Sequence, residues 1–305
     1  MNPLIVIFNN YEYRNTWDVV WFNELIKEMY QQFNLIYVEQ KDYDDNYFLN
    51  KYGKIPDYII GYESFIYPKN KSIKIVITED LHLNDLNDFD NLFQEVDIIL
   101  PKFNIINNLF NNKFKSKIID FPLYCSNSFL IDNINYNSEN KIIMYGNMKV
   151  PQYHYRQKWF KYMNNNLKDV FNFVHGNTSH TCNEIRKFSF GLVVGYTPIM
   201  FENINEKKNG YIVAKYLEVC GSGLLLLADT TDLKDEFRKY GFIDNVNYID
   251  VTFQNINDKV KFITNDKNKE KINSIRLNGY NLIKRHHLIS NRMDTLKKIL
   301  KPINS

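Results

Sequence analysis

Lys215 and Glu218 stand three residues apart, a spacing that puts both side chains on one face of a helix. A lysine at such a place meets a diphosphate as a point charge. A glutamate there accepts two hydroxyl hydrogen bonds from a ribose. The positive end of a helix dipole adds to the pull on an anion. The pair runs into Cys220-Gly221-Ser222-Gly223 and then into the apolar run 224–228, closed by Asp229. That order predicts a helix, a Gly-rich turn headed by Gly221, and a buried strand. In α/β proteins ligands bind in the crevice beside such junctions, and the combination suits a nucleotide-sugar. Taken alone, the same glycines are more commonly only a helix C-cap.

Other residues could share in this chemistry. Arg156 follows a turn at Gly146-Asn147 and is a second cation for a diphosphate, or else a solvated helix charge. His175 ends an apolar run in the same half and could line the same crevice, although a lone histidine is more often structural. Glu79, Asp80 and His82 follow the apolar run 75–77 and Thr78. Carboxylates and an imidazole at the C-terminal end of a parallel strand could take a proton from an acceptor hydroxyl. The competing reading there is a helix cap by Thr78 or Asp80. Asp42, Asp44 and Asp45, and the pair Asp88 and Asp90, have metal-like spacing but no strand before them. They read as solvated loops, so no metal site and no cofactor is expected. No phosphate-binding Walker loop, nucleophile elbow, HExxH or paired CxxC occurs.

The elements that would hold these residues alternate. Short apolar runs predict strands near 4–8, 35–38, 57–60, 73–78, 96–100 and 117–121, then near 141–145, 170–174, 191–194 and 224–228. Helices fit between most of them, for instance 16–32, where Trp17, Val20, Trp21, Leu25 and Met29 recur at helical spacing. Strand-helix alternation implies parallel sheets covered on both faces. Residues 126–140 are rich in Asn, Asp and Ser and read as a linker. The expected division is an acceptor domain over 1–130, a donor domain over 140–289 and a terminal helix over 290–305. Met293, Leu296, Ile299 and Leu300 would pack that helix back on the first domain.

The chain has 305 residues, enough for two cores, with 44% hydrophobic and 24% charged residues. A net charge of +3 gives no nucleic-acid footprint. The 22 Tyr and 22 Phe, set against alanine only at Ala214 and Ala228, point to AT-rich codon usage more than to carbohydrate stacking. An AT-rich bacterium, protist or large DNA virus fits. Cys125, Cys182 and Cys220 lack metal spacing and suggest a reducing compartment, so a cytoplasmic location (host cytoplasm if viral) is expected. The start of the chain reads as a strand, and no apolar run reaches the length of a membrane span.

From Lys215-x-x-Glu218 through the Leu-rich strand ending in Asp229, the acidic helix 232–240, Asn247-Tyr248-Ile249, Asn278-Gly279-Tyr280, His286-His287 and Asn291-Arg292, the sequence resembles the glycosyltransferase group 1 family. The likeness is to the branch near spore-maturation glycosyltransferases. It implies a GT-B fold: two Rossmann-like, doubly wound α/β domains facing a central cleft. It implies a metal-independent glycosyltransferase that moves a sugar from a nucleotide-diphosphate donor to a glycan, lipid or protein acceptor. Glu218, Lys215, Arg156, Gly146, Asn147, His175, Gly221 and Tyr211 would then hold the donor, and Glu79, Asp80 and His82 would supply the catalytic groups. Eight positions before Glu218, where the wider family has a first Glu, this chain has Gly210. A catalytically degenerate binding or scaffold protein of the same fold is one alternative. Another follows from Phe201-Glu202-Asn203 with Gly210-Tyr211-Ile212 and Lys215, which is similar to the α-1,3-fucosyltransferase motif and implies a GDP-sugar.

Overall fold

The computed structural model describes residues 3–9, 17–62, 67–78, 86–101, 113–148, 154–175, 181–195 and 212–301. The chain divides into two compact units, one of Met1–Leu123 with Ile289–Ser305 and one of Tyr124–Leu288.

The first unit is built from β1 (Ile5–Asn9), α1 (Trp17–Gln32), β2 (Leu35–Glu39), α2 (Asp45–Tyr52), β3 (Tyr58–Tyr62), β4 (Ile73–Thr78), α3 (Leu86–Glu95) and β5 (Ile98–Pro101). Its strands form one sheet in the order β2-β1-β3-β4-β5, with every pairing parallel. Ile5, Val6 and Ile7, like Ile75, Val76 and Ile77, are fully buried, as expected of strands covered on both faces.

The second unit contains β6 (Glu139–Gly146), α4 (His154–Asn166), β7 (Phe171–His175), α5 (Thr181–Ile185), β8 (Phe188–Val194), α6 (Ala214–Gly221), β9 (Leu225–Asp229), α7 (Lys234–Lys239), β10 (Ile249–Asp250), α8 (Ile256–Thr264) and α9 (Lys269–His286). Its parallel sheet runs β10-β9-β8-β6-β7. Counted from its own first strand, this is the strand order of the first unit again. In such a sheet the winding reverses between the first and third strands, and ligands bind beyond their C-terminal ends. In the second unit those strands are β6 and β8, so Gly146 sits at the reversal.

The chain returns to the first unit through α10 (Ile289–Ile299), which buries Ile289, Met293 and Leu296. Arg292 donates from Nε to the Pro122 carbonyl at 2.7 Å and from Nη2 to the Leu123 carbonyl at 2.6 Å. Tyr58 donates to the Lys301 carbonyl at 2.8 Å.

Two local expectations change. Residues 117–121 form no strand; only an isolated bridge joins Ile118 to Ile99. The chain there runs into Pro122, which has no amide donor, and Arg292 occupies the carbonyls that follow. Residues 126–140 are not a free linker but part of the second unit. Their carbonyls are tied down: Phe129 accepts from Ser222 at 3.1 Å, Ile131 from Tyr280 at 2.5 Å and Asn135 from Arg276 at 3.1 Å. The chain passes between the units at Leu123 and Tyr124. Among the described residues no helix is long and apolar enough to cross a membrane.

Candidate functional site

The site grows from the end of β6. This strand is exposed at Glu139 and buried from 142 to 146, and it stops at Gly146 with φ +122°. That is backbone which side chains disfavour and glycine accepts. α4 follows and carries Arg156 in its first turn. α6 carries Lys215 and Glu218 within its first five residues. It can lie close on the sheet because Gly191 of β8 has no side chain: a Cβ there would be 2.6 Å from Val219 Cγ1. The β8–α6 approach and the β6–α4 turn thus bring two helix starts to one place.

Two cations meet at that place. A Cβ on Gly146 would lie 2.9 Å from Lys215 Cε, 3.3 Å from Arg156 Nη1 and 3.6 Å from Lys215 Nζ. The bare glycine is what leaves room for both head groups. Arg156 is only 4% exposed, and its Nη1 donates to the Asn147 carbonyl at 3.1 Å. Lys215 Nζ stands 5.5 Å from the centre of the Tyr145 ring.

Glu218 lies beside them, also 4% exposed. Its Oε2 accepts from the Tyr145 hydroxyl at 2.6 Å. Burial pushes the Glu218 carboxyl above the usual carboxylate range, while Lys215 and the Tyr145 hydroxyl pull it back. Burial, reinforced by the Glu218 charge, holds Tyr145 firmly protonated, so Tyr145 is a donor to the carboxylate and fixes its rotamer. The arrangement offers two positive groups to an oxyanion and a carboxylate to hydroxyls.

A second carboxylate braces the helix that carries Arg156. Asp229, at the end of β9, accepts from the Tyr155 hydroxyl, from Trp159 Nε1 at 3.1 Å, and from the Thr231 amide and hydroxyl at 3.1 and 2.6 Å. Tyr155 and Trp159 flank Arg156 on α4, so Asp229 fixes the start of the helix that carries it. The Tyr216 hydroxyl is buried without a hydrogen-bond partner among the described residues, within electrostatic reach of Asp229 and Arg156. Native buried hydroxyls are rarely left so.

Of the other expected donor residues, Asn147 is exposed just past the strand. His175 is the register partner of Gly146 on β7, exposed, with its ring 4.7 Å from that of Phe173. Gly221 does not join them. It ends α6 at the far end from Lys215, and a Cβ there would lie 2.7 Å from Cys125 Sγ; it is a packing glycine. Tyr211, Glu79, Asp80 and His82 lie outside the described residues, as do Phe201, Glu202, Asn203 and Gly210. Thr78 is buried at the end of β4, and its Oγ1 has no hydrogen-bond partner among the described residues; the helix start it would cap lies outside them.

The aspartates expected in loops belong to helices. Asp44 caps α2, accepting from the Asn46 amide at 3.0 Å, and Asp90 lies in α3 and pairs with Lys113 at 2.5 Å. Among the described residues there is no group of three or more His, Cys, Asp or Glu side chains that could hold a metal ion. Sequence reasoning missed Tyr145, Tyr216, Gly191 and Asp229 as site residues. Only Asp229 left a signal, as the polar end of an apolar strand.

No protein-family model matches the sequence, and no curated protein sequence does. Solved structures do match the fold. Sucrose-phosphate synthase from Thermosynechococcus elongatus aligns over 98% of this chain and 99% of its own, with TM-score 0.62 and 9% identity. Anabaena HepE, crystallised with UDP-glucose, aligns over 99% and 100% at TM-score 0.61 and 8% identity. TarM aligns at TM-score 0.56 and 13% identity over 85% of this chain, which spans 57% of TarM. The chain has the fold of these GT-B glycosyltransferases: two parallel-sheet, Rossmann-like α/β domains.

Proposed function

We propose that the chain is a glycosyltransferase that moves a sugar from a nucleotide-diphosphate donor to an acceptor hydroxyl without a metal ion. The observation that carries this reading is the convergence of Arg156 and Lys215 on Gly146, with Glu218 held beside them by Tyr145. A diphosphate needs charge neutralisation, and two cations in a largely desolvated corner supply it more strongly than they would in water. A ribose needs an acceptor for its hydroxyls, and Glu218 has one oxygen committed to Tyr145 and a second for the sugar. The crystallisation of HepE with UDP-glucose and of the O-GlcNAc transferase GtfA with UDP and GlcNAc supports a nucleotide-sugar as the ligand class.

In the reaction the bond between the anomeric carbon and the diphosphate breaks, and the leaving oxygen gains negative charge. Arg156 and Lys215 stabilise that charge as it develops. The acceptor hydroxyl forms the new bond and loses its proton to a base, for which Glu79, Asp80 and His82 are the candidates. Holding donor and acceptor together contributes the rest of the rate. The glycosyltransferase group 1 likeness, its spore-maturation branch and a glycan, lipid or protein acceptor belong to the same proposal.

Release of free nucleotide from UDP-, GDP- and dTDP-sugars by the purified chain tests the reading. Slow hydrolysis of one donor, accelerated by an acceptor and unaffected by EDTA, is the expected result. Donor binding without any release would make the chain a binding module, and activity that EDTA abolishes and manganese restores would overturn metal independence.

A further inference from the structure

A polar cavity of about 280 Å³ opens at the other end of the second unit's sheet. Its lining includes Ser138 and Asn140 at the start of β6, Ser189 at the start of β8, and Lys269, Asn273 and Arg276 along one face of α9. From Asn140 to Gly146 the strand rises on the order of 20 Å at about 3.3 Å per residue, so this cavity is separate from the Arg156–Lys215 corner.

Arg276 sets its chemistry. The residue is only 3% exposed. Nε donates to the Gly223 carbonyl at 3.0 Å, and Nη2 to the Asn135 carbonyl at 3.1 Å and the Ser138 hydroxyl at 3.5 Å. Its guanidinium lies 5.4 Å from the centre of the Tyr136 ring. None of these partners carries a negative charge, and among the described residues Arg276 enters no ion pair. Burial lowers its pKa to about 10, against a smaller opposing charge interaction with Tyr136. Asp266 also lines the cavity but forms no ion pair with Arg276. A buried charge is ordinarily paired, because desolvation costs several kcal/mol per ion. Among the described residues that pairing is missing, and Nη1 makes no hydrogen bond to any of them. Lys269 adds a second positive charge, and Asn140, Asn273 and Ser189 add donors and acceptors suited to hydroxyl groups.

We propose that this cavity binds a small polyhydroxylated molecule bearing one oxyanion, a phosphate or a carboxylate, with the anion on Arg276 Nη1 and Lys269 and the hydroxyls on the amides. The volume exceeds what inorganic phosphate alone would fill. The site shares no residue with the proposed donor site, so the two readings stand or fall separately.

Calorimetry on the full chain with glucose 1-phosphate, glucuronate, glucose and inorganic phosphate tests it. At least one of the two anionic sugars should bind, glucose should not, and inorganic phosphate should bind at least tenfold more weakly than the better sugar. Asn273→Asp puts a carboxylate into the cavity and should weaken the anionic sugar tenfold or more, with the melting temperature unchanged or raised. Lys215→Ala should leave the same binding intact. Which of the two sugars binds identifies the oxyanion. No binding by either, equal binding of inorganic phosphate, binding that survives Asn273→Asp, or binding that is lost in Lys215→Ala would each overturn the proposal.

Discussion

Glu218 is a buried carboxylate with one tyrosine donor, and its titration should be visible in stability. Its folded pKa is raised, first by burial, so the folded state holds a proton that the unfolded state has already released. Stability therefore falls as pH rises from the unfolded carboxyl value, about 4.3, through the folded value, and then levels off. Glu218→Gln should remove that segment from a plot of unfolding free energy against pH; an identical slope in the variant would assign the titration elsewhere. Donor affinity should move the opposite way, since only the ionised carboxylate accepts two hydroxyl hydrogen bonds. It should weaken as pH falls through the same range in the wild type and not in Glu218→Gln. Tyr216→Phe asks a different question. Removing an unpartnered hydroxyl should cost the fold almost nothing, so a loss of donor affinity at unchanged melting temperature would mean that the hydroxyl meets the donor. At this scale Lys215, Glu218, Arg156 and Gly146 were legible because each type carries its chemistry openly in a turn or helix start. Tyr145, among 22 tyrosines, was not, because only the pairing of β6 with its neighbours turns its hydroxyl toward Glu218.

The elements locate the site through two close approaches. Gly191 lets α6 rest on β8, and Asp229 ties α4 to β9. Gly191→Ala would drive a methyl into Val219, whose branched carbon cannot simply swing away. A loss of about 1–3 kcal/mol is expected from overpacking, read from denaturant midpoints, together with weaker donor binding as Lys215 and Glu218 shift. Asp229→Ala strands the Tyr155 hydroxyl and Trp159 Nε1. A cost of about 2–4 kcal/mol is expected from buried groups left unpaired, and Arg156 loses the brace of its helix. A variant as stable as wild type would show that solvent replaces the aspartate. The alternation of apolar runs made the parallel sheets readable from sequence, down to β9 at Leu225–Asp229. β10, only two residues long, fell below any periodic signal. Residues 126–140 looked like a linker by composition alone, because their attachment runs through backbone carbonyls whose partners, Ser222, Arg276 and Tyr280, come from far along the chain.

For the whole molecule, the return of the chain through α10 ties the stability of the first unit to its last residues. Arg292→Ala leaves the carbonyls of Pro122 and Leu123 without their charged donor, and should lower the melting temperature through a loss of about 2–4 kcal/mol without changing donor affinity measured well below that temperature. A change in affinity would link α10 to the donor corner. Both units repeat one strand order, so the fold could be read as two cycles of the same pattern. The assignment of donor binding to the second unit rests on the charges gathered at Gly146. Calorimetry of a UDP-, GDP- and dTDP-sugar panel against the full chain and against Arg156→Ala, Lys215→Ala and Glu218→Gln tests that assignment most directly. One nucleotide-sugar should bind the wild type. Each variant should weaken it by about 1.5–3 kcal/mol, the scale of a hydrogen bond to a charged group, while melting near the wild type. Binding of none of the panel, or wild-type affinity in all three variants, would contradict it.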